Sequence, residues 1–175
     1  NDIAVAKRYL GIEDKRMRVG FGYDIHQLKA GRPCILGGVH IESDLGPDGH
    51  SDADVLIHAL MDAMLGAAGL RDIGYYFPPE DDQYKGISSM LLLEKVNFLL
   101  KERGLQAYNI DIMVISETPK LKPHIDMMKS NLQSILEIPL DRISIKATTN
   151  EMLGAIGRRE GIAAQAVVSV YEGEI

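Results

Sequence analysis

The stretch RVGFGYD at residues 18–24 predicts the first β-strand of the protein, because polar, apolar and aromatic residues alternate along it. Gly20 and Gly22 interrupt the pattern and are expected to loosen this strand. Further along the chain, Cys34 to Ile41 predicts a second strand with a kink at residues 37–38. Two strands are therefore expected before the first long helix.

The rest of the chain alternates between helix and strand patterns. Ser51 followed by Asp54 has the spacing of a capping box and predicts a helix that runs to about Gly69. Residues 42–50 are polar, residues 70–86 are aperiodic, and both are expected to be loops. Periodicity then predicts helices at 88–103 and 123–136, and strands at 108–116, 142–147 and 161–171. The predicted fold class is α+β: a single domain with a mixed β-sheet of about four main strands and helices on one face.

The composition excludes several classes of protein. The chain has 175 residues, 46% of them hydrophobic, which excludes intrinsic disorder. Its net charge of −6 argues against a nucleic-acid partner, because neutralising phosphates needs a basic surface. Cys34 is the only cysteine, so an internal disulfide is excluded. No apolar run reaches the roughly 18 residues that span a bilayer, so no membrane partner and a cytoplasmic location are expected.

Three residues in the first half of the chain have the pattern of metal ligands. Asp24 and His26 are two positions apart on a predicted strand, so their side chains leave the same face of the sheet. His58 lies on the following helix and shares a helix face with Asp54 and Asp62. One Asp and two His leave a coordination position open, as in a catalytic zinc site. Either Asp54 or Asp62 is expected to accept the second ring N–H of His58.

Two loops that follow predicted strands have the composition of anion-binding loops. Residues 116–122, SETPKLK, offer backbone N–H groups, two lysines and the start of a helix. Residues 146–151, KATTNE, offer Thr148 and Thr149 as phosphate donors and Glu151 as an oxygen ligand for a hard cation. Ordinary solvated loops and helix caps have similar sequences, so the spacing leaves open whether these two loops bind anions. The pair of Asp24 and His26 likewise has a spacing that arises by chance, so the spacing also leaves open whether these residues bind a metal.

The chain resembles a known family from about Met17 to Tyr171. The motifs that carry the resemblance are GYDIH at 22–26, HSDAD at 50–54 with His58, DIG at 72–74 with Phe77 and Pro78, PK at 119–120 with Pro123 and His124, KATT at 146–149 with Glu151, and GR at 157–158 with EG at 160–161. In this order and spacing they are similar to those of the 2-C-methyl-D-erythritol 2,4-cyclodiphosphate synthases of non-mevalonate isoprenoid biosynthesis.

The resemblance implies a metal-dependent lyase that forms a homotrimer with active sites between neighbouring subunits. In its reaction, the 2-phosphate of 4-diphosphocytidyl-2-C-methyl-D-erythritol 2-phosphate attacks the β-phosphate, CMP leaves and a cyclic diphosphate forms. By this analogy Asp24, His26 and His58 hold Zn2+. Glu151 contacts a second divalent ion, Mg2+ or Mn2+.

The resemblance also implies which residues contact the substrate. His50 and Thr149 are the implied catalytic residues, which stabilise the transition state. By the same analogy His50 and Ser51 contact the methylerythritol phosphate, Asp72 and Gly74 hold substrate hydroxyls, and the loop at 77–81 closes over them. The implied substrate-binding residues are Ser51, Asp72, Ile73, Gly74, Phe77, Asp81, Thr148 and Arg158. The implied contacts of the cytidine and its phosphates are Ser116, Pro119, Lys120, Leu121, Lys122 and Ala147. Arg158 also corresponds to an arginine near the centre of the trimer, where an isoprenoid diphosphate is the implied ligand.

Several alternatives follow from the same sequence. Residues 1–16 resemble the tail of the cytidylyltransferase that acts earlier in the pathway. An appendage or linker is therefore expected there, and the synthase domain is expected at 17–175. A bifunctional fusion is the expected origin of the chain.

The reaction brings one anion to another, so local cations are needed, and Lys120 and Lys146 are expected to contribute. A zinc-dependent phosphohydrolase and a non-enzymatic trimer that binds isoprenoid diphosphates are the rival functions.

Overall fold

Five strands form one mixed sheet at the centre of the computed structural model, which describes residues 16–173. The elements in chain order are β1 (Met17–Ala30), β2 (Cys34–Leu36), β3 (Val39–Ile41), β4 (Leu45–Asp48), α1 (Val55–Ala67), α2 (Ile73–Tyr76), α3 (Ser89–Lys101), β5 (Leu105–Ile115), α4 (Ile125–Leu136), β6 (Ile143–Thr148), α5 (Gly154–Gly157) and β7 (Gly161–Glu172). Single turns of 3-10 helix lie at Asp82–Tyr84, Lys122–His124 and Leu140–Arg142. The α+β class and the mixed sheet are confirmed.

The main sheet has five strands where about four were predicted. Its spatial order is β4-β1-β7-β5-β6. β5 and β6 are parallel, and the other neighbours are antiparallel. One face of the sheet is buried beneath α1, α3 and α4, which form the core with it. On the opposite face, apolar side chains of β1 and β7 are exposed.

Helix α1 packs directly on β1 because two glycines leave room for its backbone. A Cβ atom added to Gly22 would lie 2.0 Å from the carbonyl oxygen of Ala59, and one added to Gly20 would lie 2.0 Å from that of Ala63. Gly20 and Gly22 therefore serve to admit the helix, in addition to any loosening of the strand. Nearly every side chain of α1 is buried as a result, including that of His58.

Two predictions between β1 and α1 are wrong. Residues 34–41 form a hairpin of β2 and β3, not one kinked strand. Gly37 and Gly38 make its two-residue turn with φ of +57° and +70°, which suits glycine. Residues 42–50 are not a loop throughout, because β4 pairs with the end of β1. Pro47 argued against a strand in the sequence, because proline lacks the N–H that pairs within a sheet. β4 is an edge strand, where a missing N–H is tolerated.

The predicted helices and later strands are confirmed with shifted ends. The cap of α1 is Asp54, whose carboxylate accepts the backbone N–H of Ile57, and not Ser51. Residues 70–86 are less irregular than predicted, since they contain α2 and a 3-10 turn. The helix predicted from residue 123 begins as a 3-10 turn and becomes α-helical at Ile125.

The appendage predicted at residues 1–16 lies almost entirely outside the described residues, so it stays a prediction. Within residues 16–173, no helix combines the length and the apolar character that crossing a membrane requires.

Candidate metal site and substrate cavities

Asp24, His26 and His58 converge on one point between β1 and α1. The Nδ1 atom of His58 lies 3.1 Å from Asp24 Oδ2 and 3.1 Å from His26 Nε2. Asp24 Oδ2 and His26 Nε2 are also 3.1 Å apart. Metal–ligand bonds of ~2.0–2.1 Å in a tetrahedral site place ligand atoms roughly 3.3 Å from one another. The three atoms therefore have the spacing that a small divalent cation needs.

The electrostatics of these residues suit a cation. Burial raises the pKa of Asp24, but hydrogen bonds and charge interactions with His26 and His58 outweigh it and hold that pKa well below its usual range. Burial lowers the pKa of His58, while the adjacent Asp24 carboxylate raises it more. Asp24 is therefore ionised at neutral pH, as a metal ligand must be. A proton on His58 competes with the metal.

The support predicted for the second nitrogen of His58 is wrong. His58 Nε2 lies 2.9 Å from Ser89 Oγ and 3.2 Å from Ser51 Oγ. Among the described residues, neither Asp54 nor Asp62 hydrogen bonds to His58. The spacing of four does place both aspartates on its helix face, but closer backbone donors take up their carboxylates. Ser89 follows a loop of unpredictable course, and no sequence pattern indicated it.

Both aspartates instead brace the backbone around the site. Asp54 accepts the N–H of Ile57 at 3.2 Å and that of Gly38 at 2.8 Å, which joins α1 to the β2–β3 hairpin. Complete burial raises the pKa of Asp54 to about 6 despite these bonds. Asp62 accepts the N–H of Ile73 at 2.8 Å and so holds the start of α2 beside α1.

The three candidate ligands open into a cavity of about 250 Å3. Five residues predicted to contact the substrate line it: His50, Ser51, Ile73, Gly74 and Phe77. The cavity wall also includes Pro79, which belongs to the loop at 77–81 expected to close over the substrate. It further includes Tyr84 and Leu92, which the sequence analysis missed. Tyr84 packs edge-to-face on Phe77 with ring centres 5.5 Å apart, and aromatic residues in an aperiodic segment were the available signal for it.

Asp72 and Asp81 are not among the lining residues of this cavity. Asp72 is exposed at the residue before α2. The backbone oxygen of Asp81 lies 3.4 Å from His50 Nε2, and its carboxylate accepts the N–H of Gln83 at 3.1 Å. Asp81 therefore contacts the ring of His50 through its backbone oxygen and not through its carboxylate.

A second cavity, of about 240 Å3, lies at the adjacent carboxyl ends of the parallel strands β5 and β6. All six predicted nucleotide-binding residues line it: Ser116, Pro119, Lys120, Leu121, Lys122 and Ala147. Thr148 and Thr149 also line it, which places them away from the first cavity in the same chain. The two cavities have no lining residue in common.

Glu117, which the sequence analysis did not single out, fastens the loop that carries Glu151. Its Oε1 accepts the N–H groups of Asn150 at 2.9 Å and Met152 at 3.1 Å. Glu151 and Met152 have positive φ values of 50° and 61°, which cost free energy in residues other than glycine. Thr149 Oγ1 lies 3.2 Å from Glu151 Oε1. Glu117 thus stabilises a strained loop that orients both predicted functional residues.

Two predicted cationic residues lie elsewhere. Lys146 is not available as a local cation for either cavity, because its ammonium group donates to Asp111 at 2.7 Å and it lines neither one. The guanidinium group of Arg158 is exposed and pairs with Glu160 at 2.7 Å. The contact of Arg158 with an isoprenoid diphosphate stays a prediction.

Comparison of the sequence with known proteins identifies its relatives. The sequence model of the YgbB family matches residues 17–171. The chain is 59% identical over 152 residues to a protein of Synechococcus elongatus, covering 87% of this chain and 95% of that protein. It is 54% identical over 152 residues to a protein of Cytophaga hutchinsonii, covering 87% and 96%. Both are named 2-C-methyl-D-erythritol 2,4-cyclodiphosphate synthase.

Solved structures with the same fold agree. The bifunctional IspDF of Campylobacter jejuni is 41% identical, with a TM-score of 0.88 over 96% of this chain. The match covers 47% of the Campylobacter chain, so this chain spans about half of it. A CDP complex of IspF from Plasmodium falciparum is 32% identical, with a TM-score of 0.79 over 90% of this chain and 97% of that one. The chain therefore belongs to the YgbB family, the enzyme family of the 2-C-methyl-D-erythritol 2,4-cyclodiphosphate synthases.

Proposed function

We propose that this chain converts 4-diphosphocytidyl-2-C-methyl-D-erythritol 2-phosphate into 2-C-methyl-D-erythritol 2,4-cyclodiphosphate and CMP. The observation that carries the proposal is the convergence of Asp24, His26 and His58, with ligand atoms 3.1 Å apart, on an open cavity. Membership of the family identifies the reaction, since its named relatives are synthases of this product.

The donor set also indicates the metal. One carboxylate oxygen and two imidazole nitrogens are typical zinc ligands, and three protein ligands leave a position for a phosphate oxygen. Bound there, Zn2+ would act as a Lewis acid that neutralises phosphate charge. Glu151, exposed beside Thr149, is the proposed ligand of a second ion, Mg2+ or Mn2+, because hard cations prefer carboxylate oxygens.

The chemistry requires alignment more than proton transfer. An oxygen of the 2-phosphate forms a bond to the β-phosphorus, and the bond from that phosphorus to the bridging oxygen breaks, so CMP leaves with the electron pair. The attacking phosphate is already ionised at neutral pH, so no strong base is needed. His50 and Thr149 are proposed to donate hydrogen bonds to the oxygens that gain charge. The wall formed by Ile73, Gly74 and Phe77 would orient the methylerythritol for ring closure.

We propose that three copies assemble through the exposed face of the sheet. Val19, Phe21, Tyr23 and Ile25 alternate with residues that face α1, and all four are exposed, as is Val167 opposite Phe21 on β7. A contiguous apolar surface of this kind marks a protein interface. In one chain, the candidate metal ligands and the predicted nucleotide contacts line separate cavities. We therefore propose that assembly places the second cavity of one subunit beside the first cavity of its neighbour, and that the two together form one active site.

Phe21→Glu is expected to convert the assembly to monomers, because three carboxylates would be buried in the interface without partners. Phe98 on α3 has the same exposed fraction, 61%, and lies away from the sheet face, so Phe98→Glu is the matched control. Light scattering after size-exclusion chromatography measures the mass of each variant. Equal masses of Phe21→Glu and wild type would place the interface elsewhere.

Lys120→Ala is expected to weaken CDP binding about 10- to 100-fold while leaving zinc binding unchanged, because a hydrogen bond to a charged group contributes about 1.5–3 kcal/mol. Lys120 lines the second cavity, whereas Lys101 pairs with Glu137 at 2.5 Å and lines neither. Lys101→Ala is therefore the control in isothermal titration with CDP. Unchanged CDP affinity in Lys120→Ala would reject its role.

Phosphorus NMR of the product formed with Zn2+ and Mg2+ tests the proposed reaction directly. The synthase yields a cyclic diphosphate and CMP, whereas a zinc-dependent phosphohydrolase yields CMP and an open-chain bisphosphate. A non-enzymatic binder of isoprenoid diphosphates leaves the substrate unchanged although zinc is bound. Either of these two results would replace the proposed function.

A further inference from the structure

Ser89, the first residue of α3, links the candidate metal site to a carboxylate outside it. Its side chain is completely buried, and its Oγ lies 2.9 Å from His58 Nε2 and 2.5 Å from Asp52 Oδ1. The chain of contacts therefore runs from the second ring nitrogen of His58 through the serine hydroxyl to Asp52.

Backbone groups fix the position of this carboxylate. Asp52 Oδ2 accepts the N–H of Ser89 at 2.8 Å, and Oδ1 accepts the N–H of Asp54 at 3.2 Å. The N–H of Asp52 in turn donates to the backbone oxygen of Ile87 at 3.1 Å. The Asp52 carboxylate thus joins the segments before α1 and α3, and it cannot rotate without losing its hydrogen bonds to backbone N–H groups.

The direction of the hydrogen bonds follows from the groups involved. Both oxygens of the Asp52 carboxylate accept backbone N–H groups, and the Ser89 hydroxyl donates its proton to Oδ1. The Ser89 oxygen then accepts from His58, which requires a proton on Nε2. Ser51 Oγ lies 3.2 Å from Nε2 and accepts the N–H of Ala53. Its hydroxyl can donate to His58 or accept from it, so this contact is compatible with either tautomer.

We propose that Ser89, oriented by Asp52, is a positioning residue that keeps the proton of His58 on Nε2 and so presents the Nδ1 lone pair to the metal. Without this acceptor, the Asp24 carboxylate at 3.1 Å from Nδ1 would draw the ring proton to the nitrogen that must bind the cation. The inference rests on the proposed metal site and extends it, because residues that orient metal-ligating histidines tune metal affinity.

Zinc affinity, measured by competition with a chromophoric chelator, tests this role. Ser89→Ala is expected to weaken Zn2+ binding about 10- to 100-fold, the usual effect of removing such a support. Ser89→Thr keeps the hydroxyl and is expected to restore most of the affinity. Ser88→Ala is the matched control, because Ser88 caps the same helix at Met90 and does not touch His58. Circular dichroism checks that each variant is folded.

A spectroscopic measurement keeps the test independent of how the variants fold. In zinc-loaded wild type, the Nε2 proton of His58 is expected as an exchange-protected downfield signal in 1H–15N NMR. Zinc bound through Nε2 would overturn the inference, as would equal affinities of wild type and Ser89→Ala or equal losses in Ser88→Ala and Ser89→Ala. A wild type that binds no zinc would overturn the metal site itself and this inference with it.

Discussion

Replacing His58 with alanine is expected to abolish zinc binding and turnover while leaving the fold intact. His58 is the one candidate ligand that comes from α1, so its loss leaves Asp24 and His26, two ligands from one strand. A pair of ligands cannot enclose a tetrahedral ion, so the loss should exceed the roughly 10- to 100-fold typical of a residue outside the ligand set. The fold should survive because α1 keeps its apolar contacts on both sides of the missing ring.

Metal analysis of the purified variant, together with circular dichroism, decides this prediction. His40→Ala is the matched control, because His40 is an exposed histidine on β3 and does not belong to the metal group. It should retain the zinc content and the turnover of the wild type. Full zinc occupancy in His58→Ala would refute the ligand assignment.

Gly22→Ala is expected to destabilise the folded state by about 3 kcal/mol or more. Overpacking a core usually costs about 1–3 kcal/mol, and the cost is highest where the clashing atoms belong to the backbone and cannot move aside. The added Cβ would lie 2.0 Å from Ala59 O and 2.7 Å from Ala63 N. Both are backbone atoms of a buried helix, so α1 would have to move away from the sheet. Because α1 carries His58 and β1 carries Asp24, the same movement would separate the candidate metal ligands.

Gly66→Ala separates this clash from a general effect of adding a methyl group. Gly66 lies near the end of α1, and a Cβ there would come no closer than 3.9 Å to a neighbouring atom, Phe21 O. Removing a helical glycine should stabilise the protein by about 0.5–1 kcal/mol. Chemical denaturation of both variants measures the difference. Equal stabilities would show that α1 can shift on β1 at little cost.

The residues of the candidate site could be recognised before the fold was known, for two different reasons. Asp24 and His26 needed only the two-residue period of a strand to be placed on one face. His58 was included as a histidine on the next predicted helix, and the resemblance then implied the same ligand set. Nothing in its spacing says that a helix 34 residues later lies beside that strand. Gly20 and Gly22, which permit the close packing of α1 on β1, were interpreted only as residues that loosen the strand. The sequence around a glycine does not show which distant backbone segment approaches it.

The support of His58 shows the limit most clearly. The spacing indicated Asp54 or Asp62, and both do share a helix face with His58. A shared face does not make a hydrogen bond, however, because the direction of each side chain decides which donor it reaches. Asp54 turns to the free N–H groups of its own helix start, and Asp62 turns to Ile73. Glu117 was overlooked for a related reason, since its partners belong to a loop 33 residues away.

The amino-acid sequence by itself determined the fold class, the strands β1, β5, β6 and β7, and the residue types of a candidate metal site, because short-range periodicity and motif order encode them. Only the tertiary structure decided that β4 joins the sheet, that the predicted nucleotide-binding residues and the candidate metal ligands line separate cavities, and that Ser89 contacts His58. These outcomes depend on the directions in which distant backbone segments meet, and no local pattern carries that information.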